Sequence, residues 1–323
     1  MDDFSMYDLT EEEYQECLLR AEQDIFLEAQ SVEHPRSIFV VAQPGAGKTA
    51  LRTYLVSEAQ RSGGFLKFLE FNPDKIALHH KHYSEVIAKH PDHAYRILQK
   101  FTGRALDEYL RRRAIDVRCD MMQEGTFAST AAYIDILEFQ KNGGTAPIGR
   151  IGSDGLREQR TIEGGYEIDI NILAVNRFES LLSCFEREEF FMEKGLPPRA
   201  VTIENHDRAY DRMLETIGIV ENRGLFDQMR VFRRGYIEQS PPQLIYSAGD
   251  PRYPSVAEAI RNERAMQEVE LFRRPELYLA RIADLRRKIE GKGNESLVKR
   301  LDALEELLTM EQTRRSNRTN WRY

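Results

Sequence analysis

The chain has 323 residues, 46 of them lysine or arginine and 53 aspartate or glutamate, for a formal net charge of −7. That balance excludes a protein held to nucleic acid by bulk positive charge. With 41% hydrophobic and 31% charged residues, the composition allows a sizeable core and excludes disorder throughout, and the length suits one large α/β domain with a smaller appendage.

Thr10 followed by Glu13 predicts a capping box for a helix that carries Tyr14, Leu18, Ala21 and Ile25 on one face. After His34-Pro35, the continuous run Ser37-Ile38-Phe39-Val40-Val41 predicts a strand buried on both faces of a parallel sheet. A glycine turn and a helix over 48–61 follow. Gly63-Gly64 breaks that helix, and 65–71 reads as a second strand, which makes a βαβ unit. A long helix over 94–113, a third strand over 117–122 and a helix over 130–140 come next, with further strands over 168–175, 229–232 and 244–246. The glycine-rich stretch 142–165 exceeds the ~12–15 residues of an ordinary loop and reads as an insertion in preference to a lid.

From Pro254 the pattern is purely helical. Tyr278, Ile282, Leu285 and Ile289 repeat by four, three and four, as do Leu297, Leu301, Leu304 and Leu308, with Gly291-Lys292-Gly293-Asn294 as the turn. Two matched stripes predict an antiparallel helical hairpin. The basic stretch 314–323, with Trp321, reads as a frayed tail. No run approaches the ~18 apolar residues of a membrane span, and Met1-Asp2-Asp3-Phe4 lacks the order of a secretory signal, so the expected location is the cytoplasm. Cys17, Cys119 and Cys184 have no CxxC spacing and read as small buried hydrophobes.

Gln43-Pro44-Gly45-Ala46-Gly47-Lys48-Thr49, preceded by Ala42, follows a predicted strand and opens a predicted helix. In that context a glycine-rich loop cradles phosphate. Gly45 and Gly47 let backbone N–H groups turn inward, Lys48 reaches the β- and γ-phosphates, and Thr49 offers a hydroxyl to Mg²⁺. An ordinary strand-to-helix turn would not require the Gly-Lys-Thr ending.

Asp74, in Phe71-Asn72-Pro73-Asp74, falls at the carboxyl end of the second strand, where open parallel sheets place ligands. It reads as a metal ligand, as a general base towards an acceptor hydroxyl, or simply as a turn residue. Glu124-Gly125-Thr126 follows the third strand at the same rim, where Glu124 suits a grip on sugar hydroxyls and Thr126 adds a neutral donor and acceptor, a plain loop being the alternative. Arg187 and Arg199 suit charge stabilisation on a transferred phosphoryl group, although spacing alone favours surface salt bridges. His79, His80, His82, His90 and His93 read as a solvated histidine-rich loop rather than a metal site.

With these motifs the chain resembles the zeta toxins, the kinase component of bacterial toxin–antitoxin pairs that phosphorylates UDP-N-acetylglucosamine. The family's Gln-Pro-Gly-Ser/Ala-Gly-Lys-Thr is matched by Gln43 to Thr49, its aspartate by Asp74 and its Glu-Gly-Thr by Glu124-Gly125-Thr126. Arg187, Arg199, His206-Asp207 and the Gly224-Leu225-Phe226-Asp227 stretch follow in the family's order, so the resemblance runs from Leu9 to about Leu308.

The resemblance implies a P-loop kinase-like parallel sheet flanked by helices over residues 1–250 and a C-terminal helical hairpin and tail over 251–323. It implies ATP and Mg²⁺ held by Lys48 and Thr49, Asp74 as general base on a sugar 3′-hydroxyl of a UDP-sugar, and Glu124 and Thr126 as groups that position the amino sugar. Arg187 and Arg199 would stabilise the transferred phosphoryl group, and Glu108, or with less support Asp107, would be the family's acidic helix residue. A small helical antitoxin that blocks the ATP site near the N-terminal helix is the implied partner, with no nucleic acid and no membrane. The chain departs from the family at Ala42, at His79-His80 with the later His90-Pro91, and in the longer 142–165 segment. Two other readings stand beside this one: a kinase of a different hydroxyl acceptor, and a non-catalytic ATP-binding switch whose hairpin recognises a partner.

Overall fold

Thr10 and Glu13 close a reciprocal capping box, Thr10 Oγ1 accepting from the Glu13 amide at 3.3 Å and Glu13 Oε2 from the Thr10 amide at 3.0 Å. It starts helix α1 (Glu11–Phe26), which buries Tyr14, Cys17, Leu18 and Ala21. A computed structural model of the chain describes residues 3–61, 67–152, 155–196, 200–235 and 240–319. Strand β1 (Arg36–Val41) is buried over its last five residues and feeds α2 (Lys48–Arg61). β2 (Leu69–Phe71), α3 (Pro73–Ala77), α4 (Tyr83–Lys89) and α5 (Ala94–Arg104) follow, and a π-helical turn Ala105–Leu110 joins α5 to α6 (Arg111–Asp116).

The chain continues through β3 (Met121–Gly125), α7 (Thr130–Asn142), the short strands β4 (Gly144–Ala146) and β5 (Arg160–Ile162), and β6 (Glu167–Ala174). Helices α8 (Arg177–Glu193) and α9 (Ile203–Arg223) precede β7 (Gln228–Arg233) and β8 (Gln243–Ser247). Helices α10 (Val256–Arg273), α11 (Pro275–Ile289) and α12 (Glu295–Thr319) complete it.

The main sheet runs β2-β3-β1-β6-β7-β8. Its first five strands are parallel and β8 pairs antiparallel with β7. Parallel strands need both faces covered, which is why β1 reads as a continuous apolar run and why even the polar Asp169 and Asn171 of β6 are buried. On one face Phe39, Val41, Phe71, Ile170 and Ile172 meet α1, α7 and α9 in the largest core cluster. On the other, Val40, Leu173 and Phe232 meet Leu51 of α2. From β1 the chain runs to β2 on one side, and after β3 it crosses over to β6 on the other, so the carboxyl edge at β1 and β3 is a topological switch point, the place where such sheets bind ligands.

The hairpin of α11 and α12 buries its seam against α8: Ile282, Leu285, Leu297, Leu301 and Leu304 close on Leu181, Leu182 and Phe185. Each such side chain contributes roughly 2 kcal/mol. Arg300 pairs with the buried Glu188 at 2.6 Å and Lys292 with Glu189 at 2.9 Å, so ion pairs fix the hairpin along the back of α8.

The structure moves several predicted boundaries. The helix before β3 runs on to Asp116 because Ala114 and Ile115 are buried, and the chain turns through Arg118 at φ 55°, so β3 starts at Met121 instead of 117. Glu124 and Gly125 therefore lie inside the strand rather than after it. Of the predicted second strand, 69–71 is extended, while Gly63-Gly64 and the rest of 62–66 lie outside the described residues. Within 142–165, β4 and β5 form an antiparallel pair, Ala146, Ile148 and Ile162 enter the main core, and Arg157 reaches Gln15 of α1, while 153–154 lie outside the described residues. The expected tail is helical to Thr319, with Arg315 paired to Glu268 at 3.1 Å, and 320–323 lie outside the described residues. Among the described residues no helix is long and apolar enough to cross a membrane.

Candidate active site

Residues 42–47 turn off the carboxyl end of β1. The Ala42 amide donates to Gly125 O of β3 at 3.1 Å, which ties the loop entrance to the Glu-Gly-Thr segment. Gly45 and Gly47 have φ of +74° and +94°, conformations that side chains with a Cβ rarely adopt. At Gly45 a Cβ would also stand 1.9 Å from Ser180 O and 2.7 Å from Cys184 Sγ, so the loop lies directly against α8. Lys48 Nζ donates back across the loop to Ala42 O at 2.9 Å and Gln43 O at 3.3 Å. Thr49 is exposed in the first turn of α2, and Pro44 is half-buried beside the buried Ala46.

Gln43 is fully buried, and it holds the loop to two helices, α8 and α10, and to the residue that follows β6. Its Nε2 donates to Val175 O at 2.8 Å and Ser180 Oγ at 3.2 Å, and its Oε1 accepts from Arg264 of α10 at 3.1 Å. Ser180 Oγ in turn meets His206 Nε2 at 2.8 Å, His206 Nδ1 meets Asp207 at 3.1 Å, and Arg177 forks onto Asp207. Burial lowers the His206 imidazole pKa, with Asp207 opposing, so the ring stays neutral at the end of this chain. Burial works against the Asp207 carboxylate, but hydrogen bonds from Arg177 and His206 outweigh it and hold the group at about 2.

Asn72 caps α3 by accepting from the Asp74 amide at 2.9 Å, which sets Asp74 in the first helical turn beyond β2. Asp74 lines a cavity of about 220 Å³ together with Tyr83, Tyr95, Gln99, Thr102 and Phe191. Glu124 faces α2, where Arg52 Nε lies 3.5 Å from its carboxylate while Arg52 Nη1 bridges to Glu70 at 2.9 Å. At Gly125 a Cβ would stand 2.2 Å from the Tyr133 hydroxyl, so the Tyr133 ring end lies close over this strand. Thr126 Oγ1 accepts from the Ala128 amide at 3.4 Å, and Phe127, at φ 52°, turns its buried ring onto Phe39 and Tyr133.

Helix α8 joins the loop to the cavity. Ser180, Cys184, Arg187 and Phe191 stand at i, i+4, i+7 and i+11, one stripe of the helix. Ser180 and Cys184 press on Gly45 and Phe191 lines the Asp74 cavity, about 10 Å further along the axis. Arg187 lies between them, and its Nε is buried with no hydrogen-bond partner among the described residues. Its neighbours Glu186, Glu188 and Glu189 are all paired on the hairpin side. Burial pushes the Cys184 thiol up to about 11, so it serves as a packing group. Arg199 lies outside the described residues.

Glu108 is exposed and binds Arg104 at 2.9 Å, and Arg104 also binds Glu11 of α1, on the side of the N-terminal helix. Asp107 instead binds Arg111 at 2.6 Å, whose Nε donates to Gln123 of β3 at 2.9 Å, so it is the member of the pair linked to the Glu124 strand. The histidines do not form the solvated loop expected: His80 is buried with its ring on Phe101, while His82 and His90 stand edge-on to Tyr7. Sequence reasoning missed Arg52, Arg264 and Arg234. Each reaches its partner across the fold, and no local pattern marks it.

A parallel sheet with a phosphate-type loop at its switch point, a lysine folded over that loop and an arginine beside it define a P-loop kinase-like protein. The zeta toxin family model matches residues 20–146 and 154–239, and the chain belongs to that family. Among curated proteins, the zeta toxin of Enterococcus hirae is 22% identical over 205 residues, 63% of this chain and 62% of that protein, so the matched stretch spans less than two thirds of that relative. Toxin PezT of Streptococcus pneumoniae serotype 4 is 21% identical over 228 residues, 70% of this chain and 79% of that protein. A solved structure from the PezAT chromosomal toxin–antitoxin system of Streptococcus pneumoniae superposes with a TM-score of 0.58 at 18% identity, covering 88% of this chain and 99% of that one, and shares its fold.

Proposed function

We propose that the chain is an ATP-dependent kinase that phosphorylates a hydroxyl of a UDP-sugar such as UDP-N-acetylglucosamine, at the 3′-hydroxyl of the amino sugar, and thereby blocks cell-wall precursor synthesis in the cytoplasm. The observation that carries this reading is the α8 stripe, which runs from the glycine loop to the Asp74 cavity with the unpartnered Arg187 Nε between them. The loop fits a nucleotide phosphate: two glycines at positive φ leave room for it, and Lys48 folds back across it onto the carbonyl oxygens of Ala42 and Gln43. Thr49, exposed at the start of α2, would hold Mg²⁺, which supplies charge neutralisation on the β- and γ-phosphates.

In this mechanism Asp74 accepts the proton of the acceptor hydroxyl while that oxygen attacks the γ-phosphorus, and ADP leaves with the electrons of the broken P–O bond. Glu124 and Thr126 hold the acceptor's other hydroxyl and amide groups at the edge of β3. Arg187, with Arg199, meets the charge spread over the transferred phosphoryl oxygens. The partner we propose is a small helical antitoxin seated near α1.

The aromatic wall of the cavity favours a second reading, a neutral hydroxylated ring other than an amino sugar, since Asp74 is the one charged side chain among those lining it. Incubation of the purified chain with ATP, Mg²⁺ and a panel of UDP-sugars, sugars and nucleosides, followed by mass spectrometry, separates the two. A phosphorylated UDP-sugar supports the first reading, a phosphorylated neutral ring alone supports the second, and binding of ATP with no phosphorylated product overturns both.

A further inference from the structure

Arg234 follows the last residue of β7, and its guanidinium lies over the glycine loop. Nη1 donates to Gly45 O at 3.3 Å and Ser183 Oγ at 2.9 Å, and stands 3.7 Å from Glu179. Glu179 is already engaged by Arg281 at 2.8 Å, so the Arg234 charge is weakly compensated. All of these contacts run through Nη1. The Nε and Nη2 edge has no hydrogen-bond partner among the described residues, and Nε lies 3.6 Å from where a Cβ on Gly47 would stand. The glycine at 47 thus leaves open the side of the loop at which this edge is placed.

We propose that Arg234 is a ligand of the donor nucleotide: with Nη1 anchored on the loop, its Nε–Nη2 edge takes oxygens of the α- and β-phosphates of ATP. The assignment rests on the kinase reading of the loop and adds a residue to it. A planar fork anchored at one nitrogen presents two parallel N–H donors at fixed spacing, the geometry that suits phosphate. The sheet order fixes which phosphates. Asp74 and Glu124 stand on β2 and β3, one flank of the loop, whereas Arg234 enters from β7, the other. The γ-phosphate must point towards Asp74 for transfer, so the α- and β-phosphates trail towards β7.

The test compares Arg234→Gln and Arg234→Lys with the unaltered protein by calorimetric titration of ATP and of ADP, each with Mg²⁺, alongside melting curves. Glutamine keeps an amide donor for Gly45 O while it removes the charge and the fork. Arg234→Gln is expected to weaken ATP and ADP alike by about tenfold, the effect of losing one solvent-accessible charge-assisted contact, with an unchanged melting temperature and unchanged acceptor KM. Arg234→Lys is expected to recover part of the affinity. Unaltered affinity in Arg234→Gln, or a loss confined to ATP, overturns the assignment. If Arg234→Gln also melts lower, a lysine variant that recovers stability but no affinity overturns it as well. Absence of ATP binding by the unaltered protein would instead remove the kinase reading itself.

Discussion

Replacing Gly45 with alanine tests whether the loop and α8 are held in one geometry. The new Cβ would sit 1.9 Å from Ser180 O and 2.7 Å from Cys184 Sγ, where ordinary contact begins near 3.4 Å, so loop and helix must part by about 1.5 Å. Alanine at φ +74° costs about 1–2 kcal/mol of backbone strain, and overpacking adds about 1–3 kcal/mol, together roughly 2–5 kcal/mol. For a chain of this size that lowers the melting temperature by about 5–10 °C. In the proposed mechanism the same displacement would carry Arg187 away from the transferred phosphoryl group, and a shift of about 1 Å at a reacting centre costs roughly 100-fold in rate. Gly47→Ala is the control: its φ is +94°, but the nearest atom to its Cβ is 3.6 Å away, so it bears backbone strain without the clash. Differential scanning fluorimetry and ATP titration should find Gly45→Ala clearly worse than Gly47→Ala in stability. Equal losses, or a Gly45→Ala protein with unaltered melting and affinity, would refute the account of a loop clamped against α8.

Arg187→Ala should leave melting within about 2 °C, since its Nε has no partner to lose, while phosphoryl transfer falls by at least about 100-fold; a matching loss of stability would mark it as structural. Burial pushes the His80 imidazole down to about 4, with His82 reinforcing and Asp8 and Glu13 opposing, so the unfolded chain binds this proton first and the folded form loses stability as pH falls from about 6.5 to 4. His80→Asn, which keeps an acceptor for the His82 amide, should flatten part of that slope in melting curves, His206 supplying more of it; an unchanged slope contradicts the assignment. Leu301→Ala, at the buried seam between the hairpin and α8, should cost about 2–5 kcal/mol in urea unfolding, and a cost below about 1 kcal/mol would mean that the hairpin does not buttress α8.

What the sequence revealed and what it hid divide by the range of the physics involved. The glycine loop was legible because its requirements are local: a buried strand before it, two positions at positive φ, a lysine and a helix after it. The leucine stripes of α11 and α12 were legible for the same reason, as periodicity within one element. The end of α6 was not, because a left-handed Arg118, which no pattern marks, decides where β3 begins. Nor could the sequence show that Gln43 is buried in a network reaching Ser180 and Arg264, 137 and 221 residues away, so a residue of the phosphate motif proves to be the fastening of the loop to α8 and α10. The cluster of histidines misled for a related reason: their partners are Tyr7 and Phe101 in separate segments, and that packing is invisible in the spacing of the histidines alone.

The central claim is that phosphate donor and hydroxyl acceptor meet between the glycine loop and Asp74. A single-turnover reaction with γ-labelled ATP, Mg²⁺ and UDP-N-acetylglucosamine, run with the unaltered chain and with Asp74→Asn, tests it most directly when ATP affinity is measured on the same samples. The account predicts label on the sugar nucleotide with the unaltered chain, and loss of at least about 100-fold in the transfer rate of Asp74→Asn at undiminished ATP affinity. Transfer by Asp74→Asn at the unaltered rate would contradict it.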